Sequence, residues 1–171
     1  FLITNEAELR KVGTGEAGWE IGAHYVLGDD VVLTGGNWTP VGTGTVPFTG
    51  VFDGGSHSIT GLTIYSTGNY NGMFASVSGT VKNLILLDVD VKGGSNTAAI
   101  AGGTKQGARI QNCYVTGVVG KATGVTGNVF YHAGIVGEHF NDAWVENCVT
   151  NVTVTNLDEG YAGGIVGTCL G

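Results

Sequence analysis

Charge is what this sequence has least of. Asp, Glu, Lys and Arg make up 12% of its 171 residues, about half the usual share. The lysines and arginines number seven, lie scattered along the chain, and leave a net charge of −7. The basic stripe that a nucleic-acid binder needs is therefore missing, and so is a polybasic membrane anchor. No apolar run approaches the roughly 20 residues that cross a bilayer as a helix, so membrane insertion is not expected. Cysteine occurs three times, as Cys113, Cys148 and Cys169. An odd number argues against a complete disulfide framework, and the CxxC cluster of a zinc site is missing. There is no His-Glu-x-x-His and no Gly-x-Ser-x-Gly. The Gly-Ile-Val-Gly stretches are not followed by a helix or a lysine, which excludes a phosphate-cradling loop. No cofactor is expected. The chain opens on Phe1 without a signal peptide, and reads as a processed piece of a longer protein.

Glycine, in contrast, is abundant, with 32 residues against an average near 7%. It shows no Gly-X-Y period, so collagen is excluded. Hydrophobic residues at 42% are enough to fold. High glycine with low charge suits tightly stacked strands whose backbones approach closely. The organising feature is a repeat. Trp144–Gly167, WVENCVTNVTVTNLDEGYAGGIVG, is preceded by ARIQNCYVTGVVG with HAGIVG, and earlier by TVKNLILLDVDVKG with TAAIAGG. The marker asparagines Asn83, Asn112 and Asn147 lie 29 and 35 residues apart, the longer interval holding the loop Lys121–Tyr131. Short strands at this period without intervening helices indicate the coils of a solenoid.

The asparagines say how each coil turns. Apolar residues fall two before and one after each of them: Val81/Leu84, Ile110/Cys113 and Val145/Cys148. Strand side chains alternate with period two, so a separation of three cannot place both on one face of a straight strand. The chain must bend at the asparagine, a residue that tolerates the left-handed conformation. Equivalent side chains stacked about 4.8 Å apart can then bond along the stack. Asn83, Asn112 and Asn147 are read as an internal corner ladder. Ile100, Ile135 and Ile165 are expected to point inward from the glycine-bracketed strands, and Asn69–Phe74 is read as the first version of those strands.

Ahead of the repeats, Thr4–Val12 reads as a capping helix. Thr4 or Asn5 is the cap, acidic residues fill the first turn, Arg10 and Lys11 the last, and Leu9 and Val12 face the core. Strands are expected at Tyr25–Leu33, broken at Gly28-Asp29, at Phe48–Asp53, and at Ser58–Tyr65. Trp19, Trp38, Phe48 and Phe52 are expected to pack this cap. The division is one domain, with the cap and irregular coils in 1–78 and the regular repeats in 79–171.

Gly-Ile-Val-Gly recurring between strands of the type Ile-x-Asn-Cys resembles the GLUG-motif repeats of bacterial surface proteins. The order TNEAELRKV, HYVLGDDVVLTGGNWTPVG and FTGVFDGGSHSITGLTI is similar to the region that commonly precedes those repeats. The resemblance implies an all-β fold, a right-handed parallel β-helix. It also implies an extracellular or wall-attached bacterial parent of adhesin type. Related segments occur beside IgA-cleaving metallopeptidase domains that carry a zinc helix. Gly137-Glu138-His139-Phe140 is no such helix, so peptidase activity does not carry over. The first clear repeat departs from the pattern, with Leu84 for the cysteine and AIAGG for GIVG.

An enzyme on this scaffold would need paired carboxylates flanking a cleft. The candidates are Asp88 with Asp90 on one strand face, Asp29 with Asp30 in a turn, and Asp158 with Glu159 in a loop. Each reads as a solvated residue, and no acidic loop has the ligand count for calcium. A lyase would add a base, for which Lys82 and Lys92 are the nearest candidates. Tyr131, His132, His139, Phe140 and Trp144 form the densest aromatic and histidine cluster. As structure, they cover the longer loop. As function, with that loop, they are the expected contact surface for a host glycan or protein. The histidines are too irregularly placed for a metal, and Thr153 and Thr155 lack the matching rows of an ice-binding face. The reading is a noncatalytic structural or adhesion segment whose exposed C-terminal coil can self-associate. The alternatives are a carbohydrate-binding or polysaccharide-degrading β-helix and an accessory domain of a secreted metallopeptidase.

Overall fold

The computed structural model describes residues 1–155 and 160–170. The chain is nearly all-β, and its strands form several parallel sheets. One six-stranded sheet holds, in order, Leu2–Ile3, His24–Leu27, Val51–Asp53, Thr80–Lys82, Arg109–Gln111 and Trp144–Glu146. A second contains Val31–Val32, Ser58–Thr60, Ile85–Gly93, Tyr114–Lys121 and Val149–Thr155, with Thr63–Tyr65 also pairing with Ile85–Gly93. A four-stranded sheet joins Phe74–Val77, Ala101–Thr104, Val136–Phe140 and Val166–Leu170. The short strands Thr97–Ala98, His132–Ala133 and Ala162–Gly163 form the last. From residue 80 onward, each pass of the chain adds one strand to each sheet, so neighbours in space are one repeat apart in sequence. The first sheet runs unbroken across residues 78 and 79.

Packing follows from this register. Phe52, Val81, Ile110 and Val145 are successive partners in the first sheet. Phe52, Val81 and Ile110 are fully buried, while Val145 is partly so. Leu84, Cys113 and Cys148 show the same gradient, as do Ile100, Ile135 and Ile165. Toward the N-terminus the core is aromatic: Tyr25, Phe48 and Phe74 follow one another with centroids 6.2 and 4.9 Å apart, and Phe52 meets Phe74 edge-on at 5.6 Å. Burying such rings is worth about 1.5–3 kcal/mol each before ordering costs.

The corners are set by left-handed residues. Asn83, Asn112 and Asn147 have φ of 52°, 54° and 53°. The backbone N–H of Asn83 donates to Gln111 O, and that of Asn112 to Glu146 O. The Asn112 amide donates to Asn83 Oδ1 at 3.2 Å, and Asn83 donates to Asp53 Oδ1 at 2.9 Å. A second corner ladder precedes the short strands. Tyr70, Asn96 and Tyr131 have φ of 61°, 59° and 67°, and Asn71 N donates to Asn96 O while Thr97 N donates to Tyr131 O. This corner lies directly against the glycines of the four-stranded sheet. A Cβ on Gly102 would stand 2.6 Å from Tyr70 Cα, and one on Gly137 would stand 2.7 Å from Tyr131 O. The second glycine of each bracketed strand is thus required by close backbone approach.

Two expectations are corrected. The helix covers Glu6–Leu9, not Thr4–Val12. Asn5 caps it, accepting from Glu8 N at 3.0 Å, and the Glu8 carboxylate reaches back to Thr4 N. Beyond Arg10 the bonds tighten, Lys11 N to Glu8 O and Val12 N to Leu9 O. Those are three-residue spacings, which bring Leu9 and Val12 into the core together. The strand expected over Ser58–Tyr65 is two strands separated by Gly61, whose φ is +81°. The break lets Ile59, Leu62 and Ile64 all be buried.

Candidate functional site

The expected contact cluster does not assemble as one surface. His132 is fully buried, because it continues an inward row in which Thr97 is its register partner. Its Nε2 lies 2.8 Å from Gly94 O, the carbonyl that also accepts from the Thr97 hydroxyl. Tyr131 stands at the left-handed corner and stacks on Tyr161, with centroids 5.9 Å apart and an interplanar angle of 16°. His139 is half-buried, its Nδ1 3.2 Å from Thr104 Oγ1, and burial lowers its pKa. Phe140, at the end of its strand in the four-stranded sheet, and Trp144, on the last strand of the first sheet, are exposed, and Arg109 stacks over the Trp144 ring at 5.5 Å. In the loop 121–131, Lys121 donates to Gly127 O, and Thr123 N donates to the Tyr65 hydroxyl.

The carboxylates of Asp53 and Asp30 tie neighbouring passes of the chain together. Asp53 pairs with Lys82 at 3.1 Å and accepts from Gly55 N and Asn83. Its pKa is lowered: burial works against the shift, and the Gly55 N–H, the Asn83 amide and Lys82 outweigh it. Asp30 accepts from Ser58 N at 2.7 Å, which lowers its pKa. Asp88 sits at a bulge, with φ of 53° and its N–H bonded to Thr116 Oγ1. Asp90 pairs with Lys92. Both aspartates are exposed. Asp158 and Glu159 lie outside the described residues.

The sequence does not single out a second polar cluster that, like the Asp53–Asn83–Asn112 chain, joins three passes. The Tyr70 hydroxyl donates to Glu138 Oε2 at 2.8 Å, and the Asn96 amide donates to the same oxygen. Lys105 Nζ lies 5.4 Å from the Tyr70 ring centroid. Burial, reinforced by the Glu138 charge, pushes the Tyr70 pKa up to about 12. The phenol stays protonated at neutral pH and acts as a donor, not a base. Tyr70 and Asn96 fall at equivalent corners of successive passes, but Glu138 comes from the four-stranded sheet, opposite Gly103, so no repeat position links the three.

Two clefts open near the N-terminal cap. One of about 410 Å³ lies between Arg10, Thr14, Trp38 and Pro40. Its guanidinium is held by Glu6 and by Gly36 O, over the Trp38 ring. The other, of about 250 Å³, lies beside Thr43, Ser66 and Tyr70. Neither brings a pair of carboxylates together among its described lining residues. Among the described residues, no group of three His, Cys, Asp or Glu side chains is placed to hold a metal, and no helix is long and apolar enough to cross a membrane.

No family model matches the chain, and no curated protein matches it either. A solved structure described as a "putative immunoglobulin A1 protease from Bacteroides ovatus" is similar in fold, with a TM-score of 0.64 and 22% identity. The match covers 99% of this chain and 62% of that one. At this identity the likeness speaks to the fold alone.

Proposed function

We propose that the chain is a right-handed parallel β-helix serving as a noncatalytic structural segment of a secreted or surface-attached bacterial protein, of the GLUG-repeat kind. The observation that carries this reading is the in-register stacking of parallel strands from Leu2 to Leu170, with side chains tied between passes at the corners. Right-handedness is the rule for parallel crossovers. Such a body is stiff along its stack, because backbone hydrogen bonds run along that direction, and it tolerates long loops on its sides. It suits the presentation of loops or of a neighbouring domain.

The similar Bacteroides protein supports a second, compatible reading, an accessory domain beside a protease, since the match spans nearly all of this chain and under two-thirds of that one. Incubating the purified chain with immunoglobulin A1 and with a panel of acidic and neutral polysaccharides tests both. Intact substrates are the expected result. Cleavage that disappears on Glu138→Gln would replace the scaffold reading with an enzyme.

A further inference from the structure

Cys113 and Cys148 follow the corner asparagines Asn112 and Asn147 in adjacent passes. The residue pairs on either side, Gln111 with Glu146 and Tyr114 with Val149, are parallel register partners. The two cysteines are therefore stacked one strand spacing apart. That spacing, about 4.8 Å, falls within the ~4.4–6.8 Å between Cα atoms that a disulfide spans. Their side chains point the same way. Cys113 Sγ lies 3.2 Å from Gln111 O, and Cys148 Sγ lies 3.3 Å from Glu146 O. Each also approaches a carbonyl of the preceding pass, Val81 O at 4.0 Å and Ile110 O at 3.7 Å.

The two thiols differ in access. Cys113 is buried, whereas Cys148 belongs to the last described pass and is partly exposed. They share a hydrogen bond, which draws the pKa of the Cys148 thiol down to about 7 and, with burial, pushes that of the Cys113 thiol up. The accessible sulfur is the one that ionises first, and the thiolate is the attacking species.

We propose that Cys113 and Cys148 are a redox-responsive pair that a small-molecule disulfide converts to a covalent staple between the last two passes. The Cys148 thiolate attacks one sulfur of the small disulfide, forming a mixed disulfide and releasing one small thiolate, which takes up a proton. Cys113 then loses its proton and attacks the Cys148 sulfur, forming the internal bond and releasing the second small thiol. Two protein thiols are oxidised and one disulfide is reduced to two thiols. The staple closes a loop of about 35 residues and thereby restricts the unfolded chain. Cys169 is exposed on another sheet and takes no part.

The test uses the folded chain and its Cys169→Ser variant, each incubated with oxidised glutathione, then quenched in acid, unfolded, alkylated and digested. Expected are a linked peptide joining Cys113 to Cys148, loss of two alkylatable thiols in both proteins, and a higher Tm for the oxidised Cys169→Ser protein. Glutathione held on Cys148 while Cys113 stays alkylatable would overturn the proposal. So would full alkylation of both thiols, or a link made only through Cys169.

Discussion

At the scale of single residues, the left-handed asparagines carry two roles that substitution can separate. Asn83 supplies the backbone conformation of a corner, and its side chain bridges Asp53 and Asn112. Glycine keeps the first role and loses the second, whereas alanine loses both. A left-handed non-glycine residue costs about 1–2 kcal/mol, and each lost hydrogen bond about 0.5–1.5 kcal/mol. Asn83→Ala is expected to lower stability by about 2–4 kcal/mol and Asn83→Gly by about half of that, measured from urea unfolding midpoints. Glu6 gives a prediction in pH. Backbone N–H donation from Thr34 leads the effects that lower its pKa from 4.5 to about 2, helped by Gly35, Arg10 and the Thr34 hydroxyl. A depressed carboxylate contributes stability that is complete above its unfolded pKa and vanishes as pH falls through its folded pKa. The stability gap between the native chain and Glu6→Gln should therefore be constant above about pH 5 and close as pH falls from 4.5 toward 2. Denaturant titrations across that range read it directly.

At the scale of elements, two identical Gly-Ile-Val-Gly segments sit in different surroundings. A Cβ on Gly134 would stand 2.2 Å from Gly164 O, whereas one on Gly164 would meet nothing within 4 Å among the described residues. Gly134→Ala should cost about 1–3 kcal/mol through backbone overpacking, and Gly164→Ala should stay within about 0.5 kcal/mol, by thermal or urea melts of the paired variants. The same contrast shows what the sequence makes legible. The bend at each marker asparagine was readable, because a three-residue separation of Val81 and Leu84 cannot lie on one strand face. A cap at Thr4 or Asn5, which the structure assigns to Asn5, and Ile100 and Ile135 as inward residues were readable for equally local reasons. The Gly61 break was harder, since glycine inside an alternating stretch fits a bulge as well as a corner. The second corner was not readable at all: Tyr70 and Tyr131 adopt a conformation tyrosine rarely takes, and only the stacking of repeats imposes it. His132 was misplaced on the surface for a related reason. Its inward position follows from its partner Thr97, a relation carried by register and not by neighbouring residues.

At the scale of the whole molecule, the two ends differ. The helix Glu6–Leu9, with its buried Leu9 and the buried Val12 of the turn that follows, covers one end. At the other, all four sheets finish in the same pass, whose Val145, Cys148, Val152 and Ile165 are only partly buried. Unpaired parallel edges over half-covered apolar side chains invite further strands. The chain in isolation is expected to associate as concentration rises, seen by sedimentation, and proline substitution at Val152 should weaken that association. A strictly monomeric profile at all concentrations would rule it out. The asymmetry also has an optical consequence. Trp38 is buried beneath Arg10 near the covered end, while Trp144 is 54% exposed in the final pass. Single-tryptophan versions of the protein would thus carry a short-wavelength emitter at one pole and a long-wavelength emitter at the other. Fluorescence alone could then reveal whether melting begins at the uncovered pole and travels inward, or takes the whole stack at once.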